Sequence, residues 1–257
     1  VSRNTLGYWG DRAPRNPLAW VPNALEPQWI DRGARQKTQI RGSDPRPIQV
    51  LVQKRKSSPY VLKQLVPELR ARGLRVEVQD GWVDDLVALF NSATVYLYDS
   101  AEYWRGRGVS EGFGLPPLEA LACGCIVFSS FNHALADLLT PGDTAYQIGQ
   151  GTLNNDLNRI QAAVQDPLAW LPPPDQLEAL LEQVSEVHWL ERWEQTLFWI
   201  DSIGLAAGLT PGFAKTSDLV LRSPSTRRLR WHQRIQAVQT KVVNRLPGWL
   251  QQSGSKQ

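Results

Sequence analysis

The chain has 257 residues, enough for one large domain or two small ones, and its 42% hydrophobic and 21% charged content is that of a globular protein and not a disordered one. No run approaches the ~20 apolar residues a membrane span needs, and no charged segment followed by an apolar one opens the chain. The net charge of +3 hides a strong asymmetry: residues 1–75 hold fifteen Lys/Arg against five Asp/Glu, residues 76–221 five against twenty, and residues 222–257 eight against none.

A basic first third suits a wall that faces phosphates, while the acid-free tail asks for a separate explanation. The two cysteines, Cys123 and Cys125, lie in a predicted helix-to-strand turn. That spacing predicts small buried residues in a reduced compartment, and neither a disulfide nor a zinc site. There is no methionine, so the chain is expected to be a processed chain or a piece of a longer one.

In chain order, residues 1–20 are rich in Arg, Pro, Gly and Trp without a clear period, and are expected to form a linker or the remnant of a preceding domain. Ala19-Trp-Val-Pro-Asn-Ala-Leu starts as a short strand and ends in a turn. Residues 31–47 predict a loop. Ile48-Gln-Val-Leu-Val predicts a strand, followed by the basic turn Gln53-Lys-Arg-Lys-Ser-Ser-Pro. In doubly wound folds ligands bind at this C-terminal end of the strands. Helical spacing of Val61, Leu62, Leu65 and Leu69 predicts a helix over Tyr60–Arg72. A strand over Arg75–Val78, a turn at Gly81-Trp82, and a helix capped by Asp84 or Asp85 come next. Trp82 is expected in the core.

Thr94-Val-Tyr-Leu-Tyr predicts a strand, and Asp99–Gly108 a long polar loop. The stretch that follows, SEGFGLPPLEALACGCIVFSS from Ser110 to Ser130, reads as loop, helix and buried strand. Pro116 and Pro117 fit a first helical turn, and Gly124 is placed to end the helix. A loop running into a helix N-terminus is an anion site in waiting. Beyond it, Asn132 is expected to cap a helix, Ala145–Ile148 to form a strand, and residues 152–166 another helix. After the break at Leu171-Pro-Pro-Pro a helical region runs from Asp175 to Ile203, interrupted near Ser185. Strands alternating with helices of this length predict an α/β fold with a doubly wound parallel sheet.

The motif Glu111-Gly-Phe-Gly-Leu-Pro-Pro-Leu-Glu119, followed by Ala-Leu-Ala-Cys-Gly, resembles the Glu-x7-Glu signature of retaining glycosyltransferases of the GT-B fold, family 4 in particular. The Val-Pro-Asn segment near residue 22 resembles the entry into their second domain. The resemblance covers about residues 20–203. It implies the Rossmann-like C-terminal half of a GT-B fold over residues 21–203, with a crossing helix near 189–203, and a hexose transferred with retention from a nucleotide-diphosphate sugar. It assigns Glu111 a catalytic position facing the donor sugar, and Glu119 the ribose hydroxyls. Gly112, Phe113, Gly114 and Leu115 would wrap the donor, with N–H groups near Gly114 and Leu115 on the diphosphate. Arg55 and Lys56 would supply the opposing cations. On one straight helix two glutamates at this spacing would stand about 12 Å apart; the Gly-Phe-Gly loop instead lets the chain fold around the donor. A base near Gly81 and Trp82 offers Trp82 a stacking role as the alternative to core packing.

No metal is expected, since the sequence has no Asp-x-Asp pair and His133, His188 and His232 are scattered; no cofactor beyond the donor substrate is implied. The family's usual Gly-Arg and later Lys are here compressed into Gln53-Lys-Arg-Lys. The family's preceding acceptor domain, which supplies a catalytic histidine, is not found in the chain, so it would come from a longer protein or a partner chain. The acceptor is unspecified: a polysaccharide, lipid or glycan precursor. Two other readings stay open, a non-catalytic nucleotide-sugar-fold module docking to a partner or membrane, and a phosphorylase or glycogen-synthase relative. The helical tail, residues 204–257, carries a basic amphipathic stripe over 226–250. It suits docking on another domain or partner chain, or an anionic membrane surface; nucleic acid fits its charge, but no reading module accompanies it. A cytoplasmic location is expected, with peripheral membrane contact as one option.

Overall fold

A computed structural model of the chain describes residues 2–13, 15–35 and 46–206. It divides into two compact units, residues 1–196 and 197–257. The predicted tail helix over 226–250 lies outside the described residues.

The first unit is built on a five-stranded, wholly parallel sheet in the order β2-β1-β3-β4-β5. The strands are β1 (Ile48–Gln53), β2 (Val76–Gln79), β3 (Ala93–Tyr98), β4 (Ile126–Ser129) and β5 (Tyr146–Gln147). This is the expected α/β, Rossmann-like doubly wound arrangement. Val50, Leu51 and Val52 are all fully buried, because helices cover both faces of the sheet and leave no solvated side to alternate with.

Two apolar clusters occupy those faces. On one, Leu51, Tyr96 and Val127 meet helices α2 (Pro27–Arg32), α4 (Leu86–Asn91), α6 (Leu115–Ala122) and α8 (Pro174–Gln183), through Trp29, Phe90, Leu118, Leu121 and Leu177. On the other, Val50, Val52, Val95, Leu97, Ile126 and Phe128 meet helices α3 (Val66–Ala71) and α7 (Leu153–Gln165), through Leu69, Leu157 and Ile160. Buried Asp156 of α7 accepts hydrogen bonds from Tyr60 Oη at 2.8 Å and the Gly149 N–H at 2.7 Å, so its burial leaves no unsatisfied charge.

Several local expectations change. Residues 1–20, read as a linker or the remnant of a preceding domain, carry helix α1 (Arg3–Gly10), N-capped by Ser2, whose Arg3 N–H donates to Asp137 at 2.6 Å. The helix expected over Tyr60–Arg72 opens as a π turn (Val61–Leu65) before α3. Pro67 has no N–H to give to the preceding turn, and the wider turn absorbs that loss. The loop Asp99–Gly108 contains a short helix, α5 (Ala101–Arg105). Asn132 caps no α-helix: its Oδ1 is engaged by Ser130 Oγ at 2.7 Å, and a 3-10 turn follows over His133–Asp137.

The interruption near Ser185 is present: α8 ends at Gln183, and α9 (Glu186–Ala206) starts afresh. The boundary between the two units falls within α9, after Thr196. No helix among the described residues is long and apolar enough to cross a membrane.

Candidate functional site

The strand order reverses between β1 and β3, and a crevice opens at the C-terminal ends of strands at such a switch point. Here a cavity of about 620 Å³ is lined by Gln53 at the end of β1 with Arg55 and Lys56 after it, Gln79 at the end of β2 with Asp80 to Val83 after it, Leu86 of α4, Tyr98 at the end of β3, and Pro116 and Glu119 of α6. Three residues singled out in the sequence, Arg55, Lys56 and Glu119, therefore share one cavity.

The basic turn divides its cations. Lys54 is ion-paired to Asp80. Exposed Arg55 has no such partner among the described residues. Lys56 adopts φ +69°, a left-handed conformation that non-glycine residues rarely take. Its Nζ lies 4.9 Å from the Trp104 ring centroid. The strained backbone thus places one ammonium against an aromatic face at the cavity's edge.

Glu119 sits one turn into α6, partly buried, with no hydrogen-bond partner among the described residues. Burial, with the nearby Glu26 charge adding to it and Lys56 opposing it, pushes its carboxyl up to about 7. A carboxyl perturbed by burial in a crevice is a candidate functional group.

Glu111 is placed differently. It is only 4% exposed. Its Oε2 accepts three hydrogen bonds, from Tyr98 Oη at 2.6 Å, Ser100 Oγ at 3.0 Å and Trp104 Nε1 at 2.7 Å. Burial and the neighbouring Glu111 both push the Tyr98 phenol up, so the phenol remains the donor.

The glycines of the loop are unequal. Gly114 is the N-cap of α6 at φ +94°, and a Cβ there would stand 2.3 Å from Leu135 Cδ2. Gly112 would meet nothing within 4 Å and has no positive φ. Phe113 is buried in the core, so its side chain packs and only its backbone is left for a ligand. Leu115 is partly buried at the start of α6. None of residues 111–115 lines the cavity as it stands.

Trp82 corrects an expectation: it is 89% exposed and lines the cavity, with its Nε1 donating to Asp84 at 2.9 Å. The helix following it begins only at Leu86, so Gly81-Trp82 stays outside the core. Sequence reasoning missed Tyr98, Ser100 and Trp104. The only signal for them was a Tyr at a strand's C-terminal end and a Trp in a polar loop. Both cysteines are buried as expected. Among the described residues no group of three or more His, Cys, Asp or Glu could hold a metal ion.

The two cations, the unpartnered carboxyl and the exposed indole thus share a crevice at the position where doubly wound α/β folds take their ligands. Residues 62–177 match the family model described as Glycosyl transferases group 1. No curated protein matches the chain. Among solved structures, sucrose-phosphate synthase from Thermosynechococcus elongatus is similar at a TM-score of 0.55 and 17% identity, over 79% of this chain and 58% of that one. The Anabaena protein HepE, crystallised with UDP and glucose, aligns at a TM-score of 0.48 and 15% identity, over 77% of this chain and 67% of that one. The likeness to sucrose-phosphate synthase establishes a shared fold, and the chain spans under two thirds of that protein's length.

Proposed function

We propose that this chain is the donor-binding half of a retaining GT-B glycosyltransferase of the family 4 type, which transfers a hexose from a nucleotide-diphosphate sugar. One observation carries the reading: Arg55, Lys56 and Glu119, chosen from separate stretches of sequence, converge on one crevice at the sheet's switch point. The glycosyltransferase family match over residues 62–177 supports it. In this reading Glu119 accepts from the ribose hydroxyls, since a carboxylate offers two acceptor oxygens, and Trp82 stacks on the base. Arg55, Lys56 and the N–H groups near Gly114 and Leu115 meet the diphosphate. Charge that develops on the leaving phosphate is stabilised there by fixed donors and cations. The acceptor, and the residues that would complete catalysis at Glu111, come from a domain or partner outside residues 20–203, and no metal takes part.

A thermal-shift panel of UDP-glucose, GDP-mannose and ADP-glucose tests this. A ligand at 100 times its dissociation constant adds roughly 2.7 kcal/mol to stability. Silence across all three bases would overturn the donor-site reading. The burial of Glu111 favours the second reading, a non-catalytic module that keeps the fold. Turnover by the chain, alone or with a partner, rules that out.

A further inference from the structure

Lys56 and Glu111 are one cation and one carboxylate of the proposed donor site, and both touch one side chain. Trp104, on α5, presents its ring face to Lys56 Nζ, 4.9 Å from the centroid. Its indole edge donates from Nε1 to Glu111 Oε2 at 2.7 Å. Lys56 comes from the turn after β1, and Glu111 from the loop before α6.

The geometry fixes more than distance. Three donors converge on Oε2 of Glu111, while no described residue donates to Oε1. The carboxylate is therefore held by one oxygen, with the other left to accept from something else. Lys56 is held in the left-handed region, where its backbone is strained and gains from an anchoring contact.

We propose that Trp104 is a positioning residue of the donor site, setting Glu111 Oε1 through its indole N–H and Lys56 through its ring face. This rests on the donor-site reading above. The two contacts use chemically separate parts of the indole, so they can be removed one at a time. Trp104→Phe keeps an aromatic face for Lys56 and removes the donor to Glu111. Trp104→Leu removes both.

The test is calorimetric titration of the full chain and both variants with UDP and with UDP-glucose, or with the corresponding pair of whichever base responds in the thermal-shift panel. Trp104→Phe is expected to bind the nucleoside diphosphate within about twofold of wild type. Its affinity for the sugar nucleotide falls about tenfold, the scale of one hydrogen bond to a charged group. Trp104→Leu weakens both ligands, because the ammonium facing the diphosphate also loses its anchor. A merely structural role would weaken both ligands equally in Trp104→Phe.

A ligand-independent readout accompanies the titration. The Trp104 indole N–H resonance, assigned by its loss in Trp104→Phe, is expected to shift in Glu111→Ala. An unmoved resonance, or equal affinities of wild type and Trp104→Phe for both ligands, would overturn the positioning role alone. Failure of the wild type to bind any ligand of the panel would instead remove the donor-site reading, and this inference with it.

Discussion

Tyr98 Oη donates a 2.6 Å hydrogen bond to Glu111 Oε2 and so joins the C-terminal end of β3 to the loop before α6. Tyr98 also lines the crevice, and Glu111 does not. The phenol thus belongs both to the cavity lining and to the clamp on the first glutamate of the motif.

Removing that bond has a readable cost. Tyr98→Phe leaves Ser100 and Trp104 on Glu111 Oε2 and deletes one donor to a buried carboxylate. A stability loss of about 2 kcal/mol is expected, read as a lower urea midpoint with an unchanged slope. A midpoint equal to wild type would show that the bond is not made in solution.

Glu119 gives a pH signature with two opposite signs. Its carboxyl is raised from the ordinary 4.5 to about 7 in the unliganded protein. A raised folded-state value contributes stability that is complete below 4.5 and is lost as pH rises through about 7. The melting temperature of wild type relative to Glu119→Gln is therefore expected to fall as pH rises from 4.5 through about 7. Donor affinity should move the other way, rising over the same window as Glu119 becomes an acceptor. Parallel pH profiles for wild type and Glu119→Gln would contradict both statements.

Much of this was readable before the fold was known, and the limits were physical. The βα alternation and the apolar runs Val50–Val52 and Ile126–Phe128 gave the parallel sheet, because strands buried on both faces need continuous apolar residues. Pro116, Pro117 and Gly124 marked the bounds of α6 because their backbone restrictions are local. The clamp on Glu111 was not readable. Tyr98, Ser100 and Trp104 meet it only after β3 and α5 have placed them, and nothing in their spacing signals a shared acceptor. The wall position of Trp82 was missed for the same reason, since a lone tryptophan in a turn reads as core. Helix α1 was hidden by a glycine- and arginine-rich segment that is held by a tertiary contact to Asp137.

The two loop glycines separate by conformation. Gly114→Ala puts a Cβ 2.3 Å from Leu135 Cδ2 at φ +94°, and is expected to destabilise by about 2–4 kcal/mol. Gly112→Ala meets nothing within 4 Å and should change stability by less than about 0.5 kcal/mol. Denaturant melts of the pair check this; equal losses would mean the loop is built otherwise.

Arg55 and Lys56 should act mainly as charges. The double change Arg55→Gln with Lys56→Gln is expected to weaken nucleoside-diphosphate binding about tenfold at low salt and less at 0.5 M salt, where the charges are screened. An effect that does not shrink with salt would point to lost packing.

In the proposed donor site Glu119 is a ligand of the nucleotide. Titration of the full chain and of Glu119→Ala with the nucleoside diphosphate chosen by the thermal-shift panel tests it most directly, with circular dichroism to verify the fold. Saturable binding by wild type, at least ~30-fold weaker in a folded Glu119→Ala, is the predicted result, the scale of losing hydrogen bonds to a charged acceptor. Equal affinities in the two proteins would contradict it.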